Sequence, residues 1–163
     1  GAYSAAGLEI ASYCDSRIAG ASAKFDAPIA KLGFPMAPQE AALVVNAVGE
    51  LTAREMLLEA AVFDAATMLQ RGFLNRVVAD ADVTESALQS VNRILALAPQ
   101  AARLNKQTFR EINKPLAGVF IADTAINSIV NIAQNSYAYA ASAEHKEGIS
   151  AFIEKRKPDW KKV

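Results

Sequence analysis

Glu9 stands in "GAYSAAGLEIASYCD", a stretch otherwise built from small and apolar residues. A carboxylate placed a few residues after a run such as "SAAG" has a specific chemical use. The small side chains let the backbone come close to a bound group, and a helix starting there offers unpaired N–H groups and the positive end of its dipole. A free N–H can polarise a carbonyl oxygen while the carboxylate moves protons nearby. The plainer alternative is a first-turn glutamate that favours the helix dipole and does no chemistry. The residue types alone leave both open. Other nucleophilic and metal chemistries have little to draw on. Cys14 is the one cysteine and His145 the one histidine, far apart in the chain, so neither a Cys/His zinc site nor an internal disulfide is expected. A Ser-His-Asp triad would have to use His145, which lies in the charged segment "AEHKEG".

The elements that must carry Glu9 follow from pattern. "GLEIASYCD" reads as a helix, "SRIAG" and "AKFDAP" as short strands, and "MAPQEAALVVNAVG" as a helix ended by Gly49. "TAREMLLEAAV" is expected to be a third helix with a capping box of Thr52 and Glu55. "DAATMLQRG" is expected to be a short fourth helix with Asp64 as N-cap and Gly72 just past its end. "FLNRVV" is expected to close this part as a strand. Strands separated by helices indicate an α/β arrangement over residues 1–82. Residues 83–163 read as helical. Thr84 is expected to cap "ESALQSVNRILALA", and Pro99 and Pro115 each start a further helix. In the last of these Ile126, Ile129, Val130, Ala133 and Tyr137 form one apolar stripe, while Ile121, Ala125 and Ile132 fall outside it. A helix apolar on more than one side needs a second partner, and another subunit is one such partner. "EHKEGISAFIEKRK" is the final helix, followed by a basic tail in which Trp160 is expected to anchor the packing. Cys14 is expected in the core.

Composition narrows the partners. The 163 residues carry 17 basic and 17 acidic side chains, so the charge pattern of a nucleic-acid-binding domain is missing. No apolar run approaches the roughly 18 residues needed to cross a bilayer. No charged n-region precedes an apolar h-region. A single cysteine fits a reducing, cytoplasmic setting.

Taken together, "SAAGLEIASYCD", "FDAATMLQRGFLNRVV" and "EGISAFIEKRKP" resemble the enoyl-CoA hydratase/isomerase family, the crotonases, and the resemblance runs through the whole chain. It implies the second half of a spiral of ββα units, followed by a helical C-terminal region that forms trimers or hexamers. It implies an acyl-CoA thioester substrate, with hydration or double-bond isomerisation as the reaction and no cofactor beyond the coenzyme A of the substrate. The alternative within the same scaffold is a non-catalytic piece that only oligomerises. By the resemblance, Glu9 falls on a catalytic glutamate and the backbone N–H of Ala6 on an oxyanion donor. Lys155 and Tyr137 fall where coenzyme A is approached. Two departures accompany these matches. Where the hydratases carry a second glutamate, this chain has Ile29, in "DAPIAKLG". The loop beyond it reads "GFPMAPQEAAL" instead of being glycine-rich, so Gln39 and Glu40 are polar groups that could enter the pocket, and Asp26 could reach it or simply end its strand. Family members are also longer chains, so the sequence is expected to be a C-terminal portion that starts inside the second oxyanion loop. Alone it is expected to lack measurable hydratase activity.

Overall fold

A computed structural model describes residues 2–4, 6–112, 130 and 138–163. The chain divides into two compact units, Gly1–Ser90 and Val91–Val163.

In the first unit, strand β1 (Ala2–Ser4) gives way after a single residue to helix α1 (Ala6–Tyr13). Strands β2 (Ile18–Gly20) and β3 (Lys24–Asp26) follow, then a 3-10 turn (Ile29–Leu32), helix α2 (Pro38–Val48) and helix α3 (Glu50–Leu58). Strand β4 (Phe63–Asp64), helix α4 (Ala65–Gln70) and strand β5 (Arg76–Val78) complete it. β3 pairs in parallel with β1, Phe25 opposite Tyr3, and antiparallel with β4, Phe25 opposite Phe63. β2 and β5 form a separate parallel pair with Ala19 opposite Val77. The parallel pairs require crossovers, and α1 supplies the first of them. Leu8, Phe25, Val44, Met56, Met68 and Phe73 are the large side chains withdrawn from solvent, so one core joins α1, β3, α2, α3 and α4.

The local signals hold where the chain itself supplies the missing hydrogen bonds. Asp64 caps α4 through its side chain, accepting from the Thr67 N–H at 2.8 Å. Gly72 follows with φ +83, a left-handed position that glycine occupies without steric cost. Gly49 has φ +84 and is the sole link between α2 and α3: its N–H closes α2 on the Val45 carbonyl and its carbonyl accepts from Ala53.

That link overturns the capping box expected at Thr52 and Glu55. α3 already begins at Glu50, so Thr52 is an interior residue, 5% exposed, and its hydroxyl meets Arg71 Nη1 at 3.4 Å. Glu55 turns to the same guanidinium, 2.8 Å away. The strand expected over "FLNRVV" is shorter than the apolar run. The Phe73 and Leu74 N–H groups donate to the Met68 carbonyl at 2.9 and 3.2 Å, closing α4 and leaving only Arg76–Val78 to pair with β2. Cys14 is exposed past the end of α1, with its thiol donating to the Ile10 carbonyl. Thr84 does not cap its helix, because α5 (Val83–Leu95) runs on directly from a 3-10 turn at Asp80–Asp82.

The second unit contains α6 (Pro99–Ile112), a 3-10 turn at Tyr139–Ala141 and α7 (Ala143–Ile153). Pro99 occupies the first position of α6, as the sequence suggests. Glu144 caps that helix from a distance in sequence, accepting from the Gln100 N–H at 3.0 Å and the Ala101 N–H at 3.3 Å, and Tyr139 donates to the same carboxylate. The apolar stripe expected after Pro115 lies outside the described residues except for Val130.

Candidate functional site

α1 is eight residues long and lies against α2. Leu8 is fully buried and fixes which way the helix faces. Ala6, its first residue, is exposed, so its N–H belongs to the set that has no partner inside the helix. Glu9 sits in the first turn, one residue on from Leu8 and therefore turned out of the core, and is partly exposed. Its carboxylate has no hydrogen-bond or ion-pair partner among the described residues. The neighbours on its face are otherwise occupied or open: Ser12 donates back to the Leu8 carbonyl at 2.8 Å, and Tyr13 is exposed.

Ile29 opens the 3-10 turn after β3 and is 7% exposed. It adds hydrocarbon and no titratable group at the place where a second glutamate is expected. Asp26 ends β3, and its Oδ1 is buried with no partner among the described residues. Gln39 and Glu40 lie in the first turn of α2, both exposed. Lys155, in the second unit, is exposed and left-handed at φ +52. Tyr137 lies outside the described residues.

A cleft of about 370 Å³ runs beside α1, lined by Gly7, Ile10, Ala11, Arg17, Phe25 and Phe73 among others. Glu9 is not among its walls, so this cleft opens on another face of the helix. Among the described residues no group of three His, Cys, Asp or Glu side chains is placed to hold a metal ion, and no helix is long and apolar enough to cross a membrane.

Sequence reasoning missed Arg17. Its Nε donates to the Phe73 carbonyl at 2.6 Å and its Nη1 to the Cys14 and Ala11 carbonyls at 2.7 and 3.2 Å. The guanidinium carbon stands 4.8 Å from the centre of the Phe73 ring. Burial pushes the guanidinium down from its ordinary value, while the neighbouring Cys14 and Asp15 push it back up. An arginine in "DSRIAG" gives no local sign of this, because every partner except Cys14 and Ala11 comes from the far side of the unit.

The family model for enoyl-CoA hydratase/isomerase matches residues 1–163. The chain belongs to the enoyl-CoA hydratase/isomerase family. It is 30% identical over 156 residues to the 2,3-dehydroadipyl-CoA hydratase of Escherichia coli, covering 96% of this chain and 58% of that protein. It is 36% identical over 121 residues to the 1,4-dihydroxy-2-naphthoyl-CoA synthase of Mycolicibacterium smegmatis, covering 73% of this chain and 36% of the relative. A crystal structure of an enoyl-CoA hydratase/carnithine racemase from Magnetospirillum magneticum superposes with a TM-score of 0.83 at 31% identity, over 98% of this chain and 56% of that one. The expected α/β crotonase-like fold is therefore shared with family structures. The chain spans a little over half the length of the first of these relatives.

Proposed function

We propose that this chain carries the Glu9 part of an enzyme that hydrates an enoyl-CoA thioester or moves its double bond. The observation that carries this reading is Glu9 itself: a carboxylate without a protein partner among the described residues, in the first turn of a helix whose leading N–H groups have no partner within the helix. The Ala6 N–H is then the donor to the thioester oxygen, whose negative charge grows as a proton leaves or water adds. Coenzyme A arrives with the substrate, and Lys155 and Tyr137 are its proposed contacts, Lys155 as a point charge for phosphate.

Ile29 favours isomerisation over the usual two-carboxylate hydration. In isomerisation the Glu9 carboxylate takes a proton from the carbon next to the thioester. The electron pair moves into the thioester oxygen, and the same carboxyl returns the proton at the far end of the double bond. One carboxylate balances that sequence. Hydration needs a base for water and an acid for the carbon, so Glu9 must do both or Glu40 must take one role.

The protein is proposed to work in the cytoplasm as a homo-oligomer, a trimer or a dimer of trimers, through residues 100–155. The decisive experiment compares Glu9→Gln with the parent in the complete polypeptide that contains this chain, following the absorbance of the conjugated thioester with 2-enoyl-CoA and with 3-enoyl-CoA. Turnover is expected to fall by about 10² to 10⁴ with near-normal binding. Equal rates for the two proteins would make Glu9 a structural residue and bring forward the non-catalytic reading.

A further inference from the structure

We infer that Arg17 is a positioning residue for Glu9: its guanidinium fork fastens the C-terminal end of α1 to the Phe73 segment and so fixes where the carboxylate stands. This rests on the proposed role of Glu9. An isolated helix of eight residues does not hold together in water, because nucleation costs more than so few hydrogen bonds return. α1 therefore depends on what grips it. At its front the chain enters from β1, and in the middle Leu8 is buried. At its back the grip is Arg17.

The arrangement uses every feature that distinguishes arginine from lysine. Two nitrogens reach three carbonyls at once: Ala11 and Cys14 at the end of α1, and Phe73 from the chain before β5. A cation there also lies at the negative end of the helix dipole, adding a second donor to the Ala11 carbonyl, which already accepts from the Cys14 N–H at 3.1 Å. The flat face of the guanidinium covers the Phe73 ring, and that ring meets Phe25 edge-on, 5.8 Å between centres at 78°. The backbone repeats the connection. The Arg17 N–H donates to Asn75 Oδ1 at 2.7 Å and the Asn75 N–H donates to the Arg17 carbonyl at 2.8 Å. The chain after α1 is thus tied to the Phe73–Asn75 segment by side chain and backbone together. Phe25 in turn belongs to β3, the strand that leads to Ile29. One residue therefore links the helix of Glu9 to the strand that ends beside the second catalytic position. A lysine has a single ammonium and no planar face, so it cannot reproduce the three carbonyl contacts and the stacked ring together.

The test is a double-mutant cycle of Arg17→Lys and Glu9→Gln in the complete polypeptide, with kcat and KM read separately on an enoyl-CoA thioester. Misplacing a catalytic group by a fraction of its reach costs up to about 10² in rate. Arg17→Lys is expected to lower kcat by about 10-fold or more with KM within about twofold, and to cost almost nothing further once Glu9 is already Gln, because residues that act as one unit are not additive. The inference is overturned if Arg17→Lys leaves kcat within about twofold of the parent while Glu9→Gln is crippled, or if the two losses multiply. If Glu9→Gln alone has no effect, it is the proposed function that fails. Should Arg17→Lys not fold, Asn75→Ala at an exposed position replaces it in the cycle, with a loss of about threefold expected and the same non-additivity required.

Discussion

A carboxylate acts as a proton carrier only while its oxygens are free of stronger partners, and that condition separates the acidic side chains of this chain. Glu55 and Glu147 are held by arginines, Asp64 and Glu144 by helix N–H groups, and Asp80 by the Ser22 N–H. Glu9 is held by none of the described residues. Its complement is Ile29, a buried hydrocarbon where a second proton carrier is expected. Replacing it tests both residues together. In the complete polypeptide Ile29→Glu is expected to raise hydration turnover by about 10² or more if the pocket is otherwise complete. The new carboxyl would enter a site only 7% exposed, so its affinity for protons should be raised by desolvation and the variant should be less stable than the parent. Steady-state hydration of a 2-enoyl-CoA and a melting curve on the same sample check the pair of effects. A folded variant with unchanged hydration would place position 29 outside the reaction.

At the scale of elements, two clasps explain why short helices persist here. Arg71, from the end of α4, lies over the Phe63 ring with its guanidinium carbon 4.4 Å from the centre, and it pairs with Glu55 of α3. Both partners are about one-third exposed, so the ion pair and the ring contact together are worth about 1 kcal/mol. Arg71→Ala should lower the urea unfolding free energy by roughly that amount, and an unchanged midpoint would show that α3 and α4 pack without it. The second clasp ends α7. The Arg156 N–H donates to the Ala151 carbonyl and the Lys155 N–H to the Phe152 carbonyl, with Lys155 left-handed between them. Arg156 then grips Glu147 through both carboxylate oxygens at 2.6 and 3.0 Å, and the Asp159 N–H adds a third contact at 2.7 Å. These donors lower the Glu147 carboxyl from 4.5 to about 2. A carboxyl lowered on folding stabilises the folded state above its unfolded value, and that contribution is lost as pH falls through the folded value. The stability difference between parent and Glu147→Gln should therefore be full above 4.5 and shrink as pH drops towards 2. Urea midpoints for the two proteins across that range give the answer. A pH-independent difference would mean the clasp works by shape alone. Lys155, proposed above as a coenzyme A contact, stands in the left-handed region, which costs a lysine about 1 kcal/mol that glycine avoids. Lys155→Gly is expected to raise the melting temperature and, if Lys155 meets coenzyme A, to raise KM in the complete polypeptide. A lower melting temperature would count against the backbone argument.

At the scale of the whole molecule, several large apolar side chains stand exposed among the described residues. Leu32, Leu51, Leu58, Phe152 and Ile153 are each more than two-thirds exposed. Contiguous apolar surface marks association sites, and the proposed oligomer would cover side chains of this kind. The expected state is a homotrimer or a dimer of trimers, and light scattering at micromolar concentration measures it. A monodisperse monomer would remove the oligomer from the proposal.

The sequence by itself determined what is local. The Asp64 cap, the glycine after α4, Pro99 at the head of α6 and the helix that carries Glu9 all depend on residues within a few positions of one another, so their spacing could be read directly. The family was readable for the same reason, because its motifs are contiguous runs. The tertiary structure decided what depends on distant neighbours. Thr52 and Glu55 have the spacing of a capping box, but Gly49 starts the helix earlier and Arg71 claims both side chains from sixteen or more residues away. "FLNRVV" is apolar enough for a full strand, yet its first half is spent closing α4. Cys14 has the chemistry of a core residue and lies outside because α1 ends just before it. Arg17 shows the difference most fully. Its charge is visible in the sequence and two of its carbonyl partners, Ala11 and Cys14, are local, but the fork is completed by the Phe73 carbonyl 56 residues on, and only the folded chain brings that group there.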